Sequence, residues 1–196
     1  MRLSVKSLIS YLLLPILLVV SSLTANAASG KGVLIITSYN PDTQSMASTL
    51  SSFVDEYEKH GGNSDAIVVE SLNCLAYSEA KTWKERMGAI LSKHMGDATP
   101  GIVVVLGQEA WSAFLSQDNP EFRKLPVLCG RVSRHTILTP PDSVSLDTWM
   151  PVSMDVMKDF PDFNIVGGYV YQYRLFENIA LAKKLFPFMR ELVFLS

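Results

Sequence analysis

The sequence predicts an α/β fold built on a parallel, doubly wound sheet, and three observations lead to it. Val33, Leu34, Ile35 and Ile36 form a short unbroken apolar run, with Gly32 before it and Ser38, Asn40 and Pro41 just after it. A branched run of that length between turn formers is a strand buried on both faces, as in parallel sheets. Residues Ile102–Leu106 (IVVVL) repeat the form and are the most strongly β segment of the chain. Between and beyond these runs, apolar residues recur at helical spacing, so strands alternate with helices.

After the first strand, residues 43–60 carry Met46, Leu50, Phe53, Val54 and Tyr57 on one helical face. Asp42 or Thr43 caps the start of this helix, Gly61-Gly62 ends it, and Asp55, Glu56, Glu58 and Lys59 form its solvated side. Residues 66–72 (AIVVESL) are a second strand, with Asn73 and Cys74 past its end. The next helix spans 78–95, where Ala80, Trp83, Met87, Ile90, Leu91 and His94 follow helical spacing. His94, near the helix C-terminus, reads as a structural or surface histidine. Pro100-Gly101 leads into the third strand, which ends in Gly107-Gln108-Glu109 and passes into a helix over 109–116. Gly107 either lets a ligand or a neighbouring backbone approach closely or serves packing alone.

Asp118-Asn119-Pro120 is a turn, and residues 125–129 (LPVLC) are a fourth strand ended by Gly130. Pro140, Pro141, Pro151 and Pro161 exclude long elements from 131–162, apart from a helical turn at 155–159. Arg131, Arg134 and His135 are the close basic group of that stretch. They read either as contacts for an anionic ligand or as a solvated loop. Residues 165–170 are extended and broken by Gly167-Gly168. A helix over 173–186 follows, with Leu175, Ile179, Ala182 and Phe186 on its inner face, and residues 191–196 open another apolar strand. A domain seldom stops at a strand without its helix, so the natural protein is expected to continue past Ser196.

The 196 residues are 48% hydrophobic, enough for one ordinary domain with a sizeable core. The net charge is −2 and the body of the chain holds no Lys/Arg cluster, so the electrostatic footprint of a nucleic-acid-binding protein is missing. At the N-terminus, Arg2 and Lys6 precede a nearly all-apolar stretch over 8–20, and Ala25-Asn26-Ala27 is a small-x-small cleavage site. Residues 1–27 therefore read as a signal peptide and Ala28 as the mature start, the alternative being an uncleaved signal anchor. Export leaves two readings of Cys74 and Cys129: a disulfide in an oxidising compartment, or two small buried thiols.

The chain carries no GxSxG elbow, HExxH, Walker loop or GxGxxG, and His60, His94 and His135 show no ligand-like spacing. No catalytic residue, metal or cofactor is expected. In open α/β sheets ligands bind beyond the carboxyl ends of the strands. That rule selects Ser38, Tyr39, Asn40, Asn73, Gly107 and Gln108 as the candidate ligand-binding residues. Tyr39 offers a ring with a polar tip, and Asn40, Asn73 and Gln108 offer donors and acceptors to a neutral polar ligand.

Taken together, VLIITSYNP near the start, VVVLGQEA in the middle and GYVYQYRLFENIALAKKLFPFMRELVFLS at the end resemble the ABC-transporter substrate-binding-like family of periplasmic binding proteins. They look most like the form that makes the N-terminal sensor region of bacterial hybrid two-component histidine kinases. The resemblance implies that residues 28–190 are the first lobe of a two-lobe domain and 191–196 the truncated start of the second. It implies extracytoplasmic, periplasmic binding or sensing of a small solute, with a membrane-bound kinase region in the same polypeptide. A free substrate-binding protein of a transporter, a secreted enzyme and a lobe serving only as a homodimer contact are the alternatives. The chain departs from the pattern in length, and no kinase or receiver motif lies within it.

Overall fold

The computed structural model describes residues 32–96, 99–172 and 174–191. The expected signal peptide, the expected mature start at Ala28 and the expected second-lobe strand from residue 192 onward lie outside the described residues. In chain order the elements are β1 (Val33–Thr37), α1 (Gln44–Lys59), β2 (Ile67–Ser71), α2 (Ala80–Lys93), β3 (Ile102–Leu106), α3 (Gln108–Leu115) and α4 (Pro120–Lys124). They continue with β4 (Val127–Ser133), β5 (His135–Thr136), β6 (Met154–Asp155), β7 (Ile165–Tyr171) and α5 (Leu175–Leu185).

Five strands form one sheet in the order β2-β1-β3-β4-β7, every pairing parallel. All five residues of β1 are buried, which is why its sequence is an unbroken apolar run and not an alternating one. From β1 the chain crosses to β2 on one side and then returns past β1 to β3 on the other. Crossovers of one hand running in opposite directions must lie on opposite faces. The core divides accordingly. Val33, Ile35, Val104 and Leu106 pack under α1 through Met46, Leu50 and Phe53. Leu34, Ile36, Val103 and Val105 pack under α2 and α3, which bury Trp83, Met87, Leu91, Trp111 and Phe114. Trp111 and Phe114 are fully buried and stack at 5.8 Å between ring centroids. Each such side chain contributes about 1.5–3 kcal/mol by leaving water.

Two expectations are corrected and one is met. The fourth strand does not end at Gly130 but runs on to Ser133, because a bulge absorbs Gly130 and Arg131 and pairing with β7 resumes at Val132. Gly168, at φ +144°, permits that pairing: a Cβ there would lie 2.3 Å from the Cys129 carbonyl oxygen. The expected helical turn at 155–159 is present, closed by the Lys158 and Asp159 amides donating to the Asp155 carbonyl, and its first residue also ends β6, which pairs antiparallel with β5. Arg134 holds this pair together by donating to both carboxylate oxygens of Asp155, at 2.9 to 3.2 Å. Finally, α5 has no buried residue. Of its expected inner face, Leu175 and Phe186 are exposed and Ile179 and Ala182 are only partly buried.

Cys74 and Cys129 are both free and buried. The strands β1 and β3 stand between the two, a separation of roughly 14 Å at the usual strand spacing, which no disulfide spans. Burial pushes the Cys74 thiol up to about 12, with the Glu109 carboxylate adding to it, and the Cys129 thiol up to about 11. Both are small buried side chains without thiolate chemistry at neutral pH.

Candidate cleft at the carboxyl edge of the sheet

The loop after β1 leads to α1 on one face, and the turn after β3 leads to α3 on the other. The two connections part at the carboxyl edge, and a crevice opens where they part. It is a cleft of about 620 Å³. Its floor is Tyr39, Gly107 and Gln108; the start of α1 (Thr43, Ser45, Met46) makes one wall and the β4–β5 strand ends the other.

Of the candidate residues, Tyr39, Gly107 and Gln108 line the cleft. Tyr39 is 47% exposed and its hydroxyl donates to Glu109 Oε1. Partial burial and the adjoining carboxylate both push the Tyr39 phenol well above its ordinary range, so it is a neutral donor at any working pH. Gly107 has φ +104°, and a Cβ there would lie 2.3 Å from Ser38 Oγ. Glycine is required at this point because the backbone has a positive φ and a Cβ would run into the Ser38 side chain.

Gln108 has both ends of its amide engaged. Its Nε2 donates to Thr136 Oγ1 at 2.7 Å and its Oε1 accepts from the Ser133 amide at 2.7 Å. The Ser133 N–H can only donate, so it assigns the oxygen end of the amide. Gln108 thus braces the end of β4 and the start of β5, setting the wall of the cleft.

Ser38, Asn40 and Asn73 stand elsewhere. Ser38 is fully buried behind the floor, and its Oγ accepts from the Ala110 amide at 2.9 Å. That amide is among the first N–H groups of α3, which have no partner inside their own helix. Ser38 therefore caps α3 from the neighbouring strand. Asn40 turns its Oδ1 onto the Asp42 amide at 2.8 Å, closing the loop that starts α1. Asn73, in the left-handed region at φ +49°, sits beyond β2, outside the lining of the cleft.

Arg131, Ser133, His135 and Tyr171 complete the lining. Of the basic group in the sequence, Arg134 is committed to Asp155, whereas Arg131 and His135 face the cleft. From the sequence, Arg131 and His135 read either as contacts for an anionic ligand or as a solvated loop. Glu109 lies where the cleft meets a recess of about 130 Å³ lined by Tyr77, Trp83 and Trp149. Tyr77 stacks on Trp149 at 6.0 Å and meets Trp83 edge-on at 6.3 Å. Among the described residues, no group of three or more His, Cys, Asp or Glu is placed to hold a metal ion. Among the same residues, no helix is long and apolar enough to cross a membrane.

Compared with known proteins, the chain matches no family model, no curated protein and no solved structure.

Proposed function

We propose that this chain is an extracytoplasmic domain that binds and senses a small solute, serving as the first lobe of a two-lobe, periplasmic-binding-protein-like unit and as the input region of a two-component sensor kinase. The observation that carries the reading is the 620 Å³ cleft at the carboxyl edge of a parallel sheet, at the point where strand order reverses. Its volume lies within the range of small-molecule sites, about 300–1,000 Å³. A tyrosine ring with a polar tip, a glycine turn and a ring of hydroxyl and amide groups suit a polar solute of modest size. A second lobe closing over this face would make the binding event a hinge motion, the usual way such a site transmits a signal.

A thermal-shift screen of the purified chain against sugars, amino acids, nucleosides and small acids tests the reading. Bound solute stabilises the fold by RT ln(1 + [L]/Kd), about 2.7 kcal/mol at a hundredfold excess over Kd, which raises the melting temperature by several degrees. Tyr39→Ala should remove that rise without changing the unliganded melting point much, since Tyr39 is half exposed. A solute that stabilises the wild type and Y39A equally would place binding elsewhere. A panel that leaves every cleft amide unmoved by NMR would end the reading.

A further inference from the structure

Arg131 occupies its place against the ordinary run of a strand. In β4, Val127 and Cys129 point into the core, so strict alternation would send position 131 there as well. The bulge prevents it. Pairing with β7 breaks between Cys129 and Val132, Val132 takes the core position, and Arg131 is the extra residue, held in the left-handed region at φ +58°. That conformation is strained for a non-glycine residue, and bulges next to sites re-aim a side chain. Here the side chain re-aimed is an arginine, and it is turned into the cleft.

Its charge is uncompensated. Arg86, Arg134 and Arg174 each pair with a carboxylate, and Arg123 lies over the Phe163 ring at 5.3 Å. Among the described residues no carboxylate comes within ion-pair distance of Arg131. It reaches across the cleft to a neutral partner, Ser45 Oγ, at 3.0 Å. Ser45 belongs to the first turn of α1, a 16-residue helix with no acidic residue in that turn and no side-chain cap on its N-terminal N–H groups. The positive end of that helix therefore adds to the field of Arg131. The carboxylate that lines the cleft, Glu109, accepts from the Tyr39 hydroxyl.

We infer that the solute bound in this cleft is an anion, a small organic acid or phosphate ester whose charged group docks on Arg131 in place of Ser45. The inference rests on the solute-binding reading above and names the chemical class of its ligand. The planar guanidinium presents paired N–H donors that match a carboxylate or a phosphate.

The test uses inorganic phosphate and acetate as probes on the whole chain, titrated through the millimolar range at constant ionic strength held with sodium chloride. Saturable movement of the Ser45 and Ser133 amide resonances is expected with at least one anion. In Arg131→Gln the apparent affinity should fall by about tenfold or more, and Arg131→Lys, which keeps the charge but loses the fork, should fall in between. Phosphate exceeding acetate would mark a phosphate ester as the source, and the reverse an organic acid. Arg131→Gly is a second variant that suits the left-handed backbone, so loss of binding there cannot come from failure to fold. Equal responses in wild type and R131Q, or no saturable response to either anion, would overturn the inference. A neutral solute that still raised the melting temperature would then leave the binding reading standing without it.

Discussion

Replacing Ser38 by alanine separates a structural hydroxyl from a ligand contact. The side chain is fully buried and its Oγ is the acceptor for the Ala110 amide at 2.9 Å. Ala110 is itself fully buried. Its N–H belongs to the first turn of α3, so no carbonyl within the helix can replace the lost acceptor. A buried amide left unpaired costs about 1–3 kcal/mol, and removal of a helix cap costs about 0.5–2 kcal/mol. The two ranges overlap at about 1–2 kcal/mol, which for a domain of this size lowers the melting temperature by about 2–8 °C. The cavity left by one oxygen is small, and the Ser38 backbone bonds to Leu106 and Cys74 are kept. Urea unfolding of S38A should therefore show a lower midpoint at an unchanged slope. Solute affinity, measured well below the midpoint, should be retained. S38A melting with the wild type while losing solute affinity would refute the cap and return Ser38 to the binding surface.

Gly107→Ala should be more damaging, by about 3 kcal/mol or more, since it combines a left-handed backbone with a Cβ set 2.3 Å from Ser38 Oγ and 2.8 Å from Ser38 Cβ; a variant that melts normally would show that the β3–α3 turn relaxes. At Arg131, glycine should be more stable than alanine by about 1 kcal/mol, because both lose the Ser45 bond but only glycine is at ease at φ +58°; calorimetry that reverses the order would dismiss strain at the bulge. The Arg134 guanidinium holds the Asp155 carboxyl down at about 2, below its unfolded value of about 4. The stability Asp155 contributes is thus fully present above pH 4 and lost as the pH falls towards 2. Asp155→Asn should flatten the acid limb of the stability–pH curve in that window, and an unchanged limb would contradict the pairing.

The strands were readable where burial acts on both faces. β1 is buried throughout and β3 in all but its first residue, so composition alone identifies them. The helices α1 and α2 were readable because their apolar spacing has one sheet face to match, seen in Met46, Leu50 and Phe53 and in Ala80, Trp83, Met87 and Leu91. The same spacing misled at α5, where no residue is fully buried and Leu175 and Phe186 are exposed. Periodicity reports that a face could be buried, not that something buries it.

The candidate site was legible only in part, for a related reason. The rule that ligands sit past the carboxyl ends of parallel strands pointed to Tyr39, Gly107 and Gln108, which do line the cleft. Ser38, Asn40 and Asn73 have the same chemistry and satisfy the same rule. What separates them is what each meets in space: an α3 amide for Ser38, a loop amide for Asn40, and a position past the edge strand for Asn73.

By itself, then, the sequence determined the alternation of strands and helices, the parallel character of the sheet and the edge of it at which a cleft opens. These follow from local spacing and burial, which each segment carries within itself. The order β2-β1-β3-β4-β7, the bulge that turns Arg131 out of the core and the bracing of Gln108 across to Ser133 and Thr136 were decided only in the tertiary structure. Their physical reason is that a register and a hydrogen-bond partner belong to two segments at once, and neither segment alone records the other.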